Sequence, residues 1–210
     1  MRRFLRTSLP IIAIVAAAVV VLKTSGALQR FKDQQFVEEE VKPTGWLARS
    51  WAWAAPWAWG WLYAVFAGAL DLQPEDEVLD VACGSGTFLR KHASHVVRVA
   101  GLDHSEDLID IARQENQERV AAGTAEFVVG DATALPWADG QFSAVTSNCV
   151  DCFEKKAAQA LEEMYRVLRP GGRAVVADDR RQTMEAVGFT RVSAEPTLWG
   201  LGHVTTGFKE

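Results

Sequence analysis

Asp80-Val81-Ala82-Cys83-Gly84-Ser85-Gly86 follows a run of β-forming residues and leads into a helical pattern from Thr87. Glycines at 84 and 86 let the backbone turn tightly and approach a ligand, and the helix that follows opens its N-terminus toward the same point. Alone this is a weak signal, because glycine-rich turns recur across α/β folds. The dinucleotide pattern G-x-G-x-x-G is not completed, since Leu89 stands where its third glycine belongs. A carboxylate, Asp103, comes about 20 residues after the loop, where an acid can take both hydroxyls of a ribose. A third element is Gly130-Asp131-Ala132, where Asp131 can receive the amino group of an adenine. The ligand implied carries a ribose and a purine.

Further along, Asn148-Cys149-Val150-Asp151-Cys152 places two cysteines at a C-x-x-C spacing that suits a metal or a dithiol. Zinc needs two more ligands and there is no second pair, so no metal is expected. The plain reading is two small apolar side chains near a pocket. His104, beside the ribose acid, and His203, near the start of the last strand, are candidate bases; each fits a structural or surface histidine better. No catalytic residue is assigned.

The elements that must position these residues alternate. After Asp71, β-branched runs alternate with amphipathic helices, the pattern of a parallel α/β sheet. Strands are predicted at Glu77–Val81, Val96–Leu102, Ala125–Val129, Phe142–Ser147 and Arg173–Ala177. Helices are predicted at Thr87–His95, from an N-cap at Ser105 to about Ala121, at Glu154–Leu168 and at Gln182–Val187. A hairpin from Phe189 to Phe208 closes the chain. The expected fold is Rossmann-like: a mostly parallel sheet with a C-terminal antiparallel hairpin, preceded by an N-terminal hydrophobic helix. Ligands of such sheets bind at the carboxyl ends of the strands, where all the singled-out residues fall.

The three ligand elements in order, with Met164-Tyr165-Arg166-Val167-Leu168-Arg169-Pro170-Gly171-Gly172, resemble the class I methyltransferases, most closely the ubiquinone/menaquinone type. The resemblance covers roughly Val78 to Ala177. It implies S-adenosylmethionine as cofactor, with Asp80 and the loop Ala82, Cys83, Gly84, Ser85 and Gly86 around the methionine moiety. By the same resemblance Asp103 holds the ribose, with its neighbour His104 beside it, Asp131 and Ala132 read the adenine, and Asn148 is counted among the cofactor-binding residues, in the segment after the fourth strand where the family builds its substrate site. One departure is Ala82, where many members have glycine. Asn148-Cys149-Val150 also looks like a segment of arsenite methyltransferases, although those enzymes place their other cysteines elsewhere. Methyl transfer from a sulfonium needs mainly alignment and exclusion of water, with a base only for an acceptor that must lose a proton early.

Two features lie outside this pattern. Leu9–Leu22 is an uninterrupted apolar run flanked by Arg2, Arg3, Arg6 and Lys23. It suits a retained anchor or a signal-peptide core, with Ser25-Gly26-Ala27 as a cleavage-like triplet. Six of the eight tryptophans lie between Trp46 and Trp61, in a stretch whose one charge up to Leu70 is Arg49. Tryptophan favours the membrane–water interface, while the plainer reading makes these lid and core residues. The chain accordingly divides into an anchor or signal-like helix (1–28), a polar linker (29–45), a Trp-rich lid (46–72) and a methyltransferase domain (73–210). A net charge of −5 argues against a general nucleic-acid binder. Three cysteines are too few for a disulfide scaffold. The segment between the fifth strand and the next helix, a long cap in many relatives, is only a few residues here. The sum is a small hydrophobic acceptor met at a membrane, a quinone precursor or a lipid headgroup, with an anchored protein whose catalytic domain faces the cytoplasm, where the cofactor is made. A soluble cytoplasmic enzyme acting on a small molecule or arsenite, and a non-catalytic cofactor-binding partner protein, are the alternatives.

Overall fold

The computed structural model describes residues 43–148, 156–197 and 202–210. The apolar run Leu9–Leu22, the polar stretch before Lys42, and Cys149 and Cys152 lie outside the described residues. Among those described, no helix is long and apolar enough to cross a membrane.

The Trp-rich segment forms two helices, α1 (Gly45–Ala58) and α2 (Gly60–Leu70), joined at Trp59, whose N–H donates to Ala55 O at 2.8 Å. Helix α1 thus begins inside the stretch expected to be linker. After α2, the strands are β1 (Glu77–Val81), β2 (Arg98–Asp103), β3 (Ala125–Val129), β4 (Phe142–Ser147) and β5 (Leu168–Ala177), followed by β6 (Thr190–Pro196) and β7 (His203–Phe208). They make one seven-stranded sheet in the order β3-β2-β1-β4-β5-β7-β6. Neighbours from β3 through β5 are parallel; β7 is antiparallel to both β5 and β6. This is the expected Rossmann-like sheet with its antiparallel pair.

A parallel sheet is covered on both faces, which is why β1 and β4 are nearly continuous runs of buried residues. One face is packed by Leu161, Met164 and Val167 of α6 (Ala157–Val167) and by Met184 of α7 (Arg181–Val187), with Phe142 and Trp137. The other is packed by Phe66 and Leu70 of α2, Phe88 and Leu89 of α3 (Thr87–His92), and Ile109 and Ala112 of α4 (Glu106–Glu115). At the amino edge of the sheet, Arg173 donates to both carboxylate oxygens of Asp76 (3.2 and 2.6 Å), to Asp71 O at 2.9 Å and to Leu70 O. Ser143, at a register irregularity in β4, donates to Asp76 Oδ1 at 2.6 Å. This buried knot ties the C-terminus of α2 to three strands.

Several boundaries differ from expectation. Helix α3 stops at His92, and the next strand begins at Arg98, after Val97, which is 55% exposed. The helix expected to run to Ala121 breaks into α4 and α5 (Gln117–Ala121) at Asn116. Its buried amide donates to Ala112 O at 2.8 Å, capturing a carbonyl at the end of α4. Strand β5 starts at Leu168, earlier than Arg173, because Gly171 N–H donates to Lys209 O (2.7 Å) and Lys209 N–H to Gly172 O (3.0 Å).

Candidate functional site

Asp80 is the fourth residue of β1 and is 1% exposed. Its Oδ1 is buried without a hydrogen-bond partner. Burial pushes its carboxyl well above the usual carboxylate range; the charge of Asp103 adds to this, and a hydrogen bond with Asn148 pulls the other way. Asn148, at the end of β4, leaves its own Oδ1 buried and unpartnered. A buried carboxylate with a vacant acceptor is expensive unless a donor or cation meets it.

The loop after β1 is built by three residues in the left-handed region: Ala82 (φ 60°), Gly84 (φ 54°) and Gly86 (φ 67°). Gly84 has open space where a side chain would stand, whereas a Cβ on Gly86 would press into Phe127 at 2.9 Å. Gly84 therefore faces free volume and Gly86 faces the core. Cys83 points inward: its sulfur sits 2.8 Å from where a Cβ on Gly101 would be, and burial pushes its thiol up. Only its backbone is available to a ligand. Ser85 and Thr87 are both buried and share a hydrogen bond of 3.0 Å.

Asp103 ends β2 and is 5% exposed. Oδ2 accepts from Gly84 N–H at 2.9 Å, while Oδ1 accepts from Ser105 N–H at 2.9 Å and lies 3.2 Å from His104 Nδ1. The acid thus splints the glycine loop to the start of α4. A carboxylate offers about four lone-pair sites, so one hydroxyl can be added to these three contacts and a second must displace one. Ser105 caps α4 as expected, accepting from Leu108 N–H, and also donates to Pro43 O at 2.6 Å. Gly45 N–H donates to Asp107 Oδ2 at 2.8 Å. The N-cap and a first-turn residue of α4 therefore pin the start of α1 beside the candidate ribose acid.

Asp131 follows β3. Its Oδ1 accepts from Thr133 N–H (2.9 Å) and Thr133 Oγ1 (2.8 Å), and Oδ2 pairs with Lys156 at 3.1 Å. The Thr133 amide first, then the Thr133 hydroxyl and Lys156, hold its carboxyl down to about 2. Ala132 is buried beneath it. The structure brings Asp80, the glycine loop, Asp103, His104, Asp131 and Asn148 to the carboxyl ends of β1–β4. His203 is exposed at the start of β7, and its carbonyl accepts from Asp178 N–H at 2.8 Å. An open cavity of about 740 Å³ lies beside the constellation, lined among others by Arg49, Pro56, Ser85, Thr87, Asp107 and Ile111. Sequence reasoning missed Thr133 and Lys156 as the partners of Asp131. Thr133 was within reach, since a threonine two residues after an aspartate makes a local side-chain turn; Lys156 comes from a distant segment and had no local signal.

The residues suit a ligand that brings a cation to Asp80, hydroxyls to Asp103 and an amino group toward Asp131, with free volume over Gly84. The model of a family described as "methyltransferase domain" matches residues 78–172. Demethylmenaquinone methyltransferase of Deinococcus radiodurans is 40% identical over 123 residues, 57% of this chain and 49% of that protein. The chloroplastic 2-phytyl-1,4-beta-naphthoquinone methyltransferase of Arabidopsis thaliana is 36% identical over 124 residues, 54% of this chain and 46% of that one. The chain spans about half or less of the length of the curated relatives it matches. Among solved structures, a candidate methyltransferase from Bacillus halodurans is 32% identical with a TM-score of 0.50, covering 56% of this chain and 50% of that one. The cyclase SpnF shares the fold at 21% identity and a TM-score of 0.59, covering 70% of this chain and 80% of that one. Sheet order, glycine loop, acid positions and family match converge: residues 78–172 match a methyltransferase domain, and over that stretch the chain is similar to the class I S-adenosylmethionine-dependent methyltransferases.

Proposed function

We propose that this protein transfers the methyl group of S-adenosylmethionine to a small lipophilic acceptor of the quinone-precursor kind, met at a membrane. The observation that carries the cofactor assignment is the buried, unpartnered Oδ1 of Asp80 beside Asp103, at the carboxyl edge of the parallel sheet. When bound, S-adenosylmethionine supplies an electrophilic methyl on a sulfonium for in-line displacement. Asp80 would meet the cationic amino group of its methionine part, with the backbone of Ala82–Gly86 shaping the space around it. Asp103, splinted by Gly84 and Ser105, would take the ribose hydroxyls. Asp131 would receive the adenine amino group beside Ala132, in competition with Lys156.

The lipophilic acceptor is supported by two quinone methyltransferase relatives and by the apolar helices α1 and α2 on the adjoining side of the domain. With the start of α1 tied to Ser105 and Asp107, these helices stand where the notably short β5–α7 connection leaves no other cap among the described residues. Anchoring through Leu9–Leu22, with the catalytic domain in the cytoplasm, completes the proposal. A competing reading keeps cofactor binding without methyl transfer, and the shared fold of a cyclase shows that this sheet serves other chemistry.

The test is calorimetric titration of S-adenosylmethionine into the full chain in detergent, with Asp103→Ala alongside, followed by transfer of labelled methyl to lipid extracts. Micromolar-range binding that weakens at least about tenfold in the variant, roughly 1.4 kcal/mol, is expected, with label entering an organic-soluble product. Absence of binding by the folded chain sinks the cofactor assignment; binding with label found only in water-soluble products sinks the lipophilic acceptor.

A further inference from the structure

Helix α1 is inverted relative to an ordinary surface helix, which turns its large apolar residues inward. The residues it buries are small, Ala48 at 0% and Ala55 at 6% exposure, whereas Trp46, Trp53 and Trp57 stand out at 75%, 75% and 83%. At 3.6 residues per turn, positions 46, 53 and 57 fall within about 40° of one another and span about 16 Å of helix. They form one stripe. Leu47, Trp51 and Trp59 are also exposed, at 50%, 50% and 42%, but lie outside the stripe. No indole N–H of these five tryptophans finds an acceptor among the described residues. Core packing does not account for a helix that hides alanines and displays indoles.

We infer that the Trp46–Trp53–Trp57 stripe is a docking surface for a lipid bilayer, on which α1 lies in the plane of the headgroups. Three observations favour lipid over a protein partner. Apart from Leu47, the exposed large hydrophobic residues here are all tryptophan, whose apolar body and single N–H donor match the boundary between acyl chains and headgroup oxygens. The stripe carries no carboxylate, and the one charge of α1, Arg49, lies at its edge and makes no ion pair among the described residues. The chain that leads into α1 contains the apolar run Leu9–Leu22, bordered by basic residues, ending 23 residues before Gly45. The inference deepens the membrane part of the proposed function but holds whichever acceptor takes the methyl group.

Because Leu9–Leu22 could retain the protein on vesicles by itself, the readout is the depth of the tryptophans and not binding. The full chain and its W46Q/W53Q/W57Q variant are mixed with phosphatidylcholine–phosphatidylglycerol vesicles whose acyl chains are brominated near the headgroup, and tryptophan emission is recorded. The parent is expected to be quenched and the variant to lose most of that quenching, with S-adenosylmethionine affinity unchanged between them. Loss of cofactor binding in the parent would strike the proposed function and leave the quenching result standing. An unquenched parent, or equal fractional quenching in both proteins, overturns the inference. Iodide protection that grows with protein concentration in the absence of lipid overturns it too, and assigns the stripe to a second copy of the chain.

Discussion

Ala82 holds φ at 60°, a region that costs an L-residue with a Cβ about 1–2 kcal/mol. The neighbouring positions that share this geometry, 84 and 86, are glycines. Position 82 is the departure noted against the family pattern, and its backbone explains why many members place glycine there. Glycine relieves the Cβ clash and gives back part of the gain as unfolded-state entropy. Ala82→Gly is therefore expected to stabilise the fold by about 0.5–1 kcal/mol, raising Tm by about 2–4 °C per kcal/mol for a chain of this size. Differential scanning calorimetry checks it, and an unchanged or lowered Tm would show that the loop relaxes in another way. At this scale the sequence was informative wherever one residue type has one use. Asp80, Asp103 and Asp131 stand at strand ends as expected. What spacing could not convey is direction: Cys83 lies in the loop by sequence, yet its side chain belongs to the core. The partners of Asp103 and Asp131 were likewise invisible where they came from distant segments, as Gly84 and Lys156 do.

Elements are held in register by contacts that hydrophobic periodicity does not encode. The Asp76–Ser143–Arg173 knot is the clearest, joining the end of α2, the start of β1, β4 and β5. Burial alone would raise the Asp76 carboxyl, but hydrogen bonds from Arg173, Ser143 and the Gln73 amide outweigh it and hold it below the usual range. Removing one partner of a buried ion pair strands the other, at a cost of about 3–5 kcal/mol. Arg173→Met is expected to lose that much in urea unfolding, because it also strips donors from the carbonyls of Leu70 and Asp71. A loss below about 1 kcal/mol, the range of exposed pairs, would place the knot in solvent. Nothing in the sequence announced this knot, since its members, Asp76, Ser143 and Arg173, are 30 to 97 residues apart. The break at Asn116 was hidden for a related reason: a buried amide in an otherwise regular amphipathic pattern ends the helix, and periodicity is blind to it. The strands were legible because parallel strands buried on both faces are short, dense runs of β-formers.

For the whole molecule, these carboxylates make opposite demands on pH. Asp76, Asp131 and Glu163 are held below their ordinary values, Asp131 at about 2. Between those values and the ordinary carboxylate range the unfolded chain binds more protons than the folded one, so stability falls as pH drops through that window. Asp80 works the other way. Its carboxyl is raised by burial and by Asp103, so the folded chain binds the extra proton and stability falls as pH rises from the ordinary range toward the raised value. Without ligand, Tm is therefore expected to climb as pH is lowered from neutral, pass a maximum, and fall below about pH 4, where carboxylates ordinarily titrate. A cation placed against Asp80 favours its ionised form and removes the penalty, so saturating S-adenosylmethionine should flatten the neutral-side slope while leaving the acid limb. Asp80→Asn should abolish that slope in the free protein, because no charge is then buried, and should also weaken cofactor binding. A scan of Tm against pH for both proteins, with and without cofactor, tests the site and the fold together. If the neutral-side slope survives in Asp80→Asn, some other buried group carries the penalty. If cofactor leaves the slope untouched in the parent, its amino group does not meet Asp80, and the placement of the methionine moiety over the loop after β1 fails with it.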